Sequence, residues 1–149
     1  MFDPFEFPRL ASEGFNKTSE ETWDYNCIAH AANDKSRWWW PIGEANGKAA
    51  YWPKKSPKKV SLSAFAHAFK TLGYAKCRDG SLEDGYEKIA IYALNDVPQH
   101  AARQLPNGKW THKMGPNIDL EATLTGVEGQ RYGYAVRFMK RKVRKPPKS

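Results

Sequence analysis

The chain has 149 residues, 40% of them hydrophobic, six of them Trp, with a formal charge of +8. That is one globular domain's worth of sequence, and it excludes an intrinsically disordered polymer. No run approaches the roughly 18–20 apolar residues of a membrane-spanning helix, and no basic start followed by an apolar stretch marks a secretion leader. The expectation is therefore a cytoplasmic protein without a membrane span, with delivery by a specialised secretion system not excluded.

Residues 1–20 carry Pro4, Pro8 and Gly14 among polar side chains and read as an irregular N-terminal arm, pinned by Phe2, Phe5 and Phe7. The domain proper is expected over 21–139. Thr22 or Asp24 is placed to cap a helix starting near Asn26, and the breaker-free, Ala-rich run from Cys27, CIAHAAND, continues it. An aromatic loop follows, with Trp38, Trp39, Trp40, Tyr51 and Trp52 set among Pro and Gly. Ser61 opens a second helix in which Leu62, Phe65, Phe69 and Leu72 keep the spacing of one buried face, and Gly73 stops it. From there the period becomes extended. Lys88–Leu94 is a β-rich run, HAARQL–PNG–KWTHKM reads as a hairpin turning at Asn107-Gly108, and Gly133–Met139 is a last strand. Helices first and antiparallel strands after is an α+β order. Residues 140–149 form a basic tail.

Two cysteines, Cys27 and Cys77, are too few for a disulfide framework, and no Cys/His grouping has zinc-site spacing. Neither a metal nor a cofactor is expected. A thiol attacks well only as thiolate, and both a helix start and a neighbouring imidazole favour that form. Cys27 stands in the first turn of the first predicted helix and His100 at the start of a strand. Those are the two places where thiol hydrolases keep nucleophile and base. The hairpin register decides the third residue. A three-residue Pro106–Gly108 loop pairs Leu105 with Lys109 and puts His112 on the side of His100, where it fixes the ring's tautomer. A two-residue Asn107-Gly108 turn flips the parity, and Asp119 then becomes the better orienter, with Asn117 behind it.

The segment HAARQLPNGKWTHK resembles the His-containing hairpin of papain-like cysteine peptidases of the NlpC kind, bacterial cell-wall amidases. YNCIAHA resembles that family's nucleophile segment, with Asn26 in place of the usual Asp and Ile28-Ala29 in place of the usual Ser-Gly. The resemblance implies a papain-like α+β domain with helix on antiparallel sheet, and the order Cys, His, third polar residue. It also implies a hydrolase or acyltransferase that opens an amide, isopeptide or thioester bond of a peptide or amide substrate.

Other features are weighed beside this one. Trp38 is read as a wall of the substrate cleft, Tyr25 as a donor beside it, and Trp110, alternating with His112, as a shield for the His pair. His30 lies on nearly the same helix face as Cys27, although a helical His of this kind is more often structural, and His67 reads as bland. Lys54, Lys55, Lys58 and Lys59 crowd one loop, and Lys140, Arg141, Lys142, Arg144, Lys145 and Lys148 crowd the tail. Solvated surface explains both clusters. The sharper alternative is a basic, Trp-rich binding module for nucleic acid or an acidic protein.

Overall fold

The computed structural model describes residues 2–143. In chain order the elements are α1 (Leu10–Glu13), β1 (Phe15–Ser19), α2 (Cys27–Ala31), β2 (Glu44–Ala45), β3 (Lys48–Ala49) and α3 (Leu62–Lys70). Then come β4 (Ala75–Cys77), β5 (Tyr86–Leu94), β6 (Val97–Gln104), β7 (Trp110–Lys113), β8 (Asp119–Ala122) and β9 (Tyr134–Lys142). Seven strands build one antiparallel sheet in the order β1-β8-β7-β6-β5-β9-β4, and β2 and β3 form a separate ribbon.

This corrects the expected α+β, papain-like (NlpC-type) helix-on-sheet fold. The molecule is β-rich, and the three helices among the described residues have only 4, 5 and 9 residues. The physical reasons are local. Asn33, at φ 63°, turns the Ala-rich run left-handed after one and a half turns. The arm is more ordered than its composition suggests, since Phe15–Ser19 pairs with β8 as an edge strand. Asn95 and Asp96, at φ 52° and 65°, make the two-residue turn that joins β5 directly to β6. No helix among the described residues is long and apolar enough to cross a membrane.

The sheet has two covered faces. On one, α2 and α3 pack Ile28, Phe65 and Phe69 against Ile89, Ile91 and Ala101. Each fully buried Phe contributes roughly 1.5–3 kcal/mol of apolar transfer energy, and Ser61 caps α3 by accepting from Ala64 N at 3.2 Å. On the other face, Phe7, Leu10, Val127 and Tyr132 cover Ala90, Tyr92, Ala102 and Leu120. The expected basic tail begins inside this architecture. Lys140 and Arg141 lie in β9 and pair with Glu83 at 2.7 Å and Glu87 at 2.5 Å. The rest of the tail, from Arg144 on, lies outside the described residues.

Candidate functional site

Cys27 is the first residue of α2, and the cap is Asn26, not Thr22 or Asp24. The Asn26 amide does three things at once. Its oxygen accepts from Ala29 N and Trp39 N, both at 3.1 Å, and its nitrogen donates to Trp39 O at 2.8 Å. One side chain thus ends the helix and clamps the Trp loop beside the cysteine. Trp39 becomes core, while Trp38 and Trp40, its neighbours on either side, turn to a cleft.

The sheet opens beside Cys27. β6 and β7 pair at Arg103↔Thr111 and Gln104↔Trp110 and then part. Leu105 N donates to Lys109 O at 2.7 Å, so by strand alternation the Ala101 N–H and Gln99 carbonyl also face the β7 side. There the Cys27 thiol takes the place of a strand. Sγ lies 3.9 Å from the Gln99 carbonyl oxygen, and the Ala101 N–H is directed at it. The thiol therefore sits against the backbone on both sides of His100. It is 8% exposed, and burial pushes its pKa up to about 11 despite the opposing backbone N–H groups and the Lys113 ammonium. The resting group is a thiol, not the low-pKa thiolate expected from its helix-start position.

His100, between those two backbone contacts, projects to the other face of β6, and among the described residues no hydrogen bond joins its ring to the Cys27 sulfur. Of the two candidate registers, the chain adopts the three-residue Pro106–Gly108 loop, with Gly108 at φ 87°, and this brings His112 to His100. The His112 Nε2 lies 3.3 Å from the Thr123 carbonyl, which can only accept, so Nε2 carries the proton. The bare His112 Nδ1 then accepts from His100 Nε2–H at 3.0 Å. This chain leaves the His100 Nδ1 as an unprotonated lone pair, fully buried and without a hydrogen-bond partner. Both rings are neutral. Burial, and next the neighbouring His112, holds His100 well below the ordinary imidazole value, while burial brings His112 down to about 3. The Tyr132 ring stacks on His100 at 4.2 Å, nearly parallel.

The cleft above Cys27 has a volume of about 670 Å³. Trp38, Trp40, Gln99, Gly115 and Tyr132 line it together with Cys27.

The remaining sequence candidates go elsewhere. Asp119 does not orient His100. Its carboxylate accepts from Tyr25 O–H at 2.5 Å and lies 3.9 Å from Lys113 Nζ and 3.7 Å from His30 Nδ1, on the α2 face. Tyr25, taken for a cleft donor, is committed to that bond and is 5% exposed. Asn117 accepts from Lys113 Nζ through its backbone carbonyl. His30 holds Thr111 Oγ1 at 2.8 Å. Trp110 shares the face of His112 but is core, against Phe138 and Gly80, and does not line the cleft. Cys77 is a free, half-buried thiol by Asp79. Sequence reasoning missed Tyr132 and Gln99. Gln99 had a signal, since it precedes His100 on a strand and must face the other way.

A β-sheet domain with a helix-start cysteine seated beside a two-histidine hydrogen-bond chain is the class that this fold and site define. The chain belongs to the DUF7689 family, a domain of unknown function, whose family model matches residues 16–140 and so takes in every site residue above. No curated protein and no solved structure matches it.

Proposed function

We propose that the protein is a cysteine-dependent hydrolase or acyltransferase acting on an amide, isopeptide or thioester carbonyl, with Cys27 as nucleophile, His100 as base and His112 as the orienting group. One observation carries this reading. The chain Thr123 carbonyl–His112–His100 fixes the tautomer that leaves a free lone pair on Nδ1, on a residue whose two backbone neighbours both touch the Cys27 sulfur. A neutral thiol held on the backbone either side of a neutral histidine suits general-base catalysis, in which the proton leaves sulfur as the carbonyl is attacked. The test is acylation of Cys27 by p-nitrophenyl acetate, followed by intact mass and p-nitrophenolate release. Cys27→Ala abolishes the adduct and His100→Ala slows it by roughly 10²–10⁴-fold. Equal rates with and without His100, or acylation confined to Cys77, overturn the reading.

A second reading, binding of nucleic acid or another polyanion, is favoured by a groove of about 750 Å³ on the other side of Trp38. Lys35, Arg37 and Lys48 line it with Tyr51 and Trp52, and Lys54, Lys55, Lys58 and Lys59 are exposed on a nearby loop. Affinity for a labelled single-stranded oligonucleotide then falls steeply with salt. No binding at low salt removes this reading and leaves the first untouched.

A further inference from the structure

The geometry points to Tyr132 as a further catalytic residue of the reaction proposed above. Its hydroxyl donates to the oxyanion formed when Cys27 adds to a carbonyl, while its ring holds the His100 imidazole in place. This rests on the Cys27–His100 reading and adds to it the donor that acyl transfer requires.

The argument begins with the loop. Gly129 and Gly133 close a five-residue turn by reciprocal backbone bonds, Gly129 N to Gly133 O at 3.1 Å and Gly133 N to Gly129 O at 2.8 Å. At Gly133, φ is 71°, and a Cβ would stand 1.9 Å from the Ala93 carbonyl oxygen. At Gly129 it would stand 2.5 Å from that of Glu6. The turn is therefore pressed onto the end of β5 and the N-terminal arm at both of its feet, and what it presents is held by the backbone itself.

What it presents is Tyr132. One side of the ring lies on His100, with centroids 4.2 Å apart and planes 7° from parallel, and Phe7 meets it edge-on at 5.5 Å. The far end of the ring reaches past His100 to the backbone after β7, where a Cβ on Gly115 would come 4.0 Å from the hydroxyl oxygen. The Gly115 N–H itself donates to the Lys113 carbonyl at 3.1 Å. The Tyr132 hydroxyl is thus left uncommitted, and among the described residues its O–H has no acceptor. The residue lines the cleft beside Cys27 and Gln99. A hydroxyl with no acceptor of its own, on a ring fixed at the wall of the cleft that holds the nucleophile, is a preorganised oxyanion donor. Burial, and next the neighbouring Cys27, raises the phenol's pKa well above its ordinary value, so it stays a donor at every working pH.

The step balances as follows. The thiol proton passes to His100 Nδ1 as the sulfur pair forms the C–S bond. The carbonyl π pair moves to oxygen, which takes a hydrogen bond from Tyr132 without taking its proton. Collapse restores the carbonyl and breaks the bond to the leaving group. An amine leaves with the proton held by His100, and p-nitrophenolate leaves as the anion while that proton goes to water.

The experiment compares two reagents on one thiol. p-Nitrophenyl acetate acylates Cys27 through an oxyanion, whereas iodoacetamide alkylates it by displacing iodide at a saturated carbon and forms none. Tyr132→Phe keeps the ring on His100 and removes only the hydroxyl. We expect acylation to fall by roughly 10²–10³-fold, with the alkylation rate and its pH profile unchanged. Tyr132→Leu removes the ring as well and shifts the alkylation pH profile too. Acylation of Tyr132→Phe at the wild-type rate overturns the assignment and leaves Cys27 and His100 standing. A wild-type Cys27 that takes up neither reagent overturns both proposals together.

Discussion

Two buried polar groups lie on opposite faces of the same strands, and they solve the same problem differently. On the α2 face, Tyr25, His30, Lys113 and Asp119 are all at most 5% exposed, and their orphaned atoms are answered by charge: Asp119 Oδ1 faces Lys113 at 3.9 Å. On the other face, His100 and His112 are both fully buried, neutral and linked in one direction, and the atom left over, His100 Nδ1, has no hydrogen-bond partner among the described residues. An unpartnered buried acceptor costs about 1–3 kcal/mol. The first group holds elements together, and the second leaves one imidazole lone pair free.

The largest effect expected from this contrast is on stability. Asp119→Leu strands the fully buried Lys113 ammonium and frees the Tyr25 hydroxyl, and loss of one partner of a buried ion pair costs roughly 3–5 kcal/mol. Adding Lys113→Met removes the stranded charge and recovers much of the loss, which a denaturant double-mutant cycle measures. A single variant as stable as wild type means that the pair is not holding α2 to β7 and β8. His112→Ala is milder. It leaves His100 Nε2–H without its acceptor, at roughly 1–3 kcal/mol, and slows Cys27 acylation less than His100→Ala does, because it unsettles the tautomer and leaves the base present.

Acid should disturb both groups in one direction. His112 and His30 fall to about 3 and about 4 from an ordinary 6.5, chiefly because burial disfavours their charged forms. The unfolded chain takes up protons below 6.5 that the folded one refuses, so stability is full above that pH and declines as pH falls toward these two values. Melting temperature across that range checks the sign. A flat or rising profile on acidification refutes it.

How much of this was legible in the sequence follows from contact distance along the chain. The hairpin was readable because Leu105 and Lys109 are close neighbours, and Pro106–Gly108 needed only local turn chemistry to bring His112 to His100. Cys27 at a helix start was readable for the same reason. The helix-on-sheet fold was misjudged where local signals were weak or overridden. Asn33 stopped a helix that Ala-rich composition favoured, and FNKTS became an edge strand whose exposed middle shows no alternation to betray it. The bonds that place Asp119 with Tyr25 and Tyr132 with His100 join residues 94 and 32 positions apart, and nothing in either segment names its partner. Which of His112 and Asp119 lies against His100 was therefore open until the register of one loop closed it.

The smallest effect lies at the wall where the two readings of function meet. Trp38 lines the cleft over Cys27 on one side and the basic groove on the other. It stacks on Trp23, itself 62% exposed, at 6.2 Å. Trp38→Ala forfeits the stacking, roughly 0.5–1.5 kcal/mol, and the bond from its indole N–H to the Trp23 carbonyl at 2.5 Å, which water at that exposed carbonyl largely replaces, and it touches neither buried polar group. Its influence falls on what enters the cleft. A p-nitrophenyl ester with a longer acyl chain places methylenes beside this wall, whereas the acetate does not reach it. Removing the indole should therefore slow Cys27 acylation by the longer ester more than by the acetate, by up to roughly fourfold per methylene lost from contact, with iodoacetamide alkylation unaffected. Oligonucleotide affinity, where present, should drop in the same variant through loss of a stacking surface. If the two esters keep their ratio while oligonucleotide binding collapses, Trp38 belongs to the basic groove. A changed ratio with no oligonucleotide binding in either protein assigns it to the cleft of the thiol.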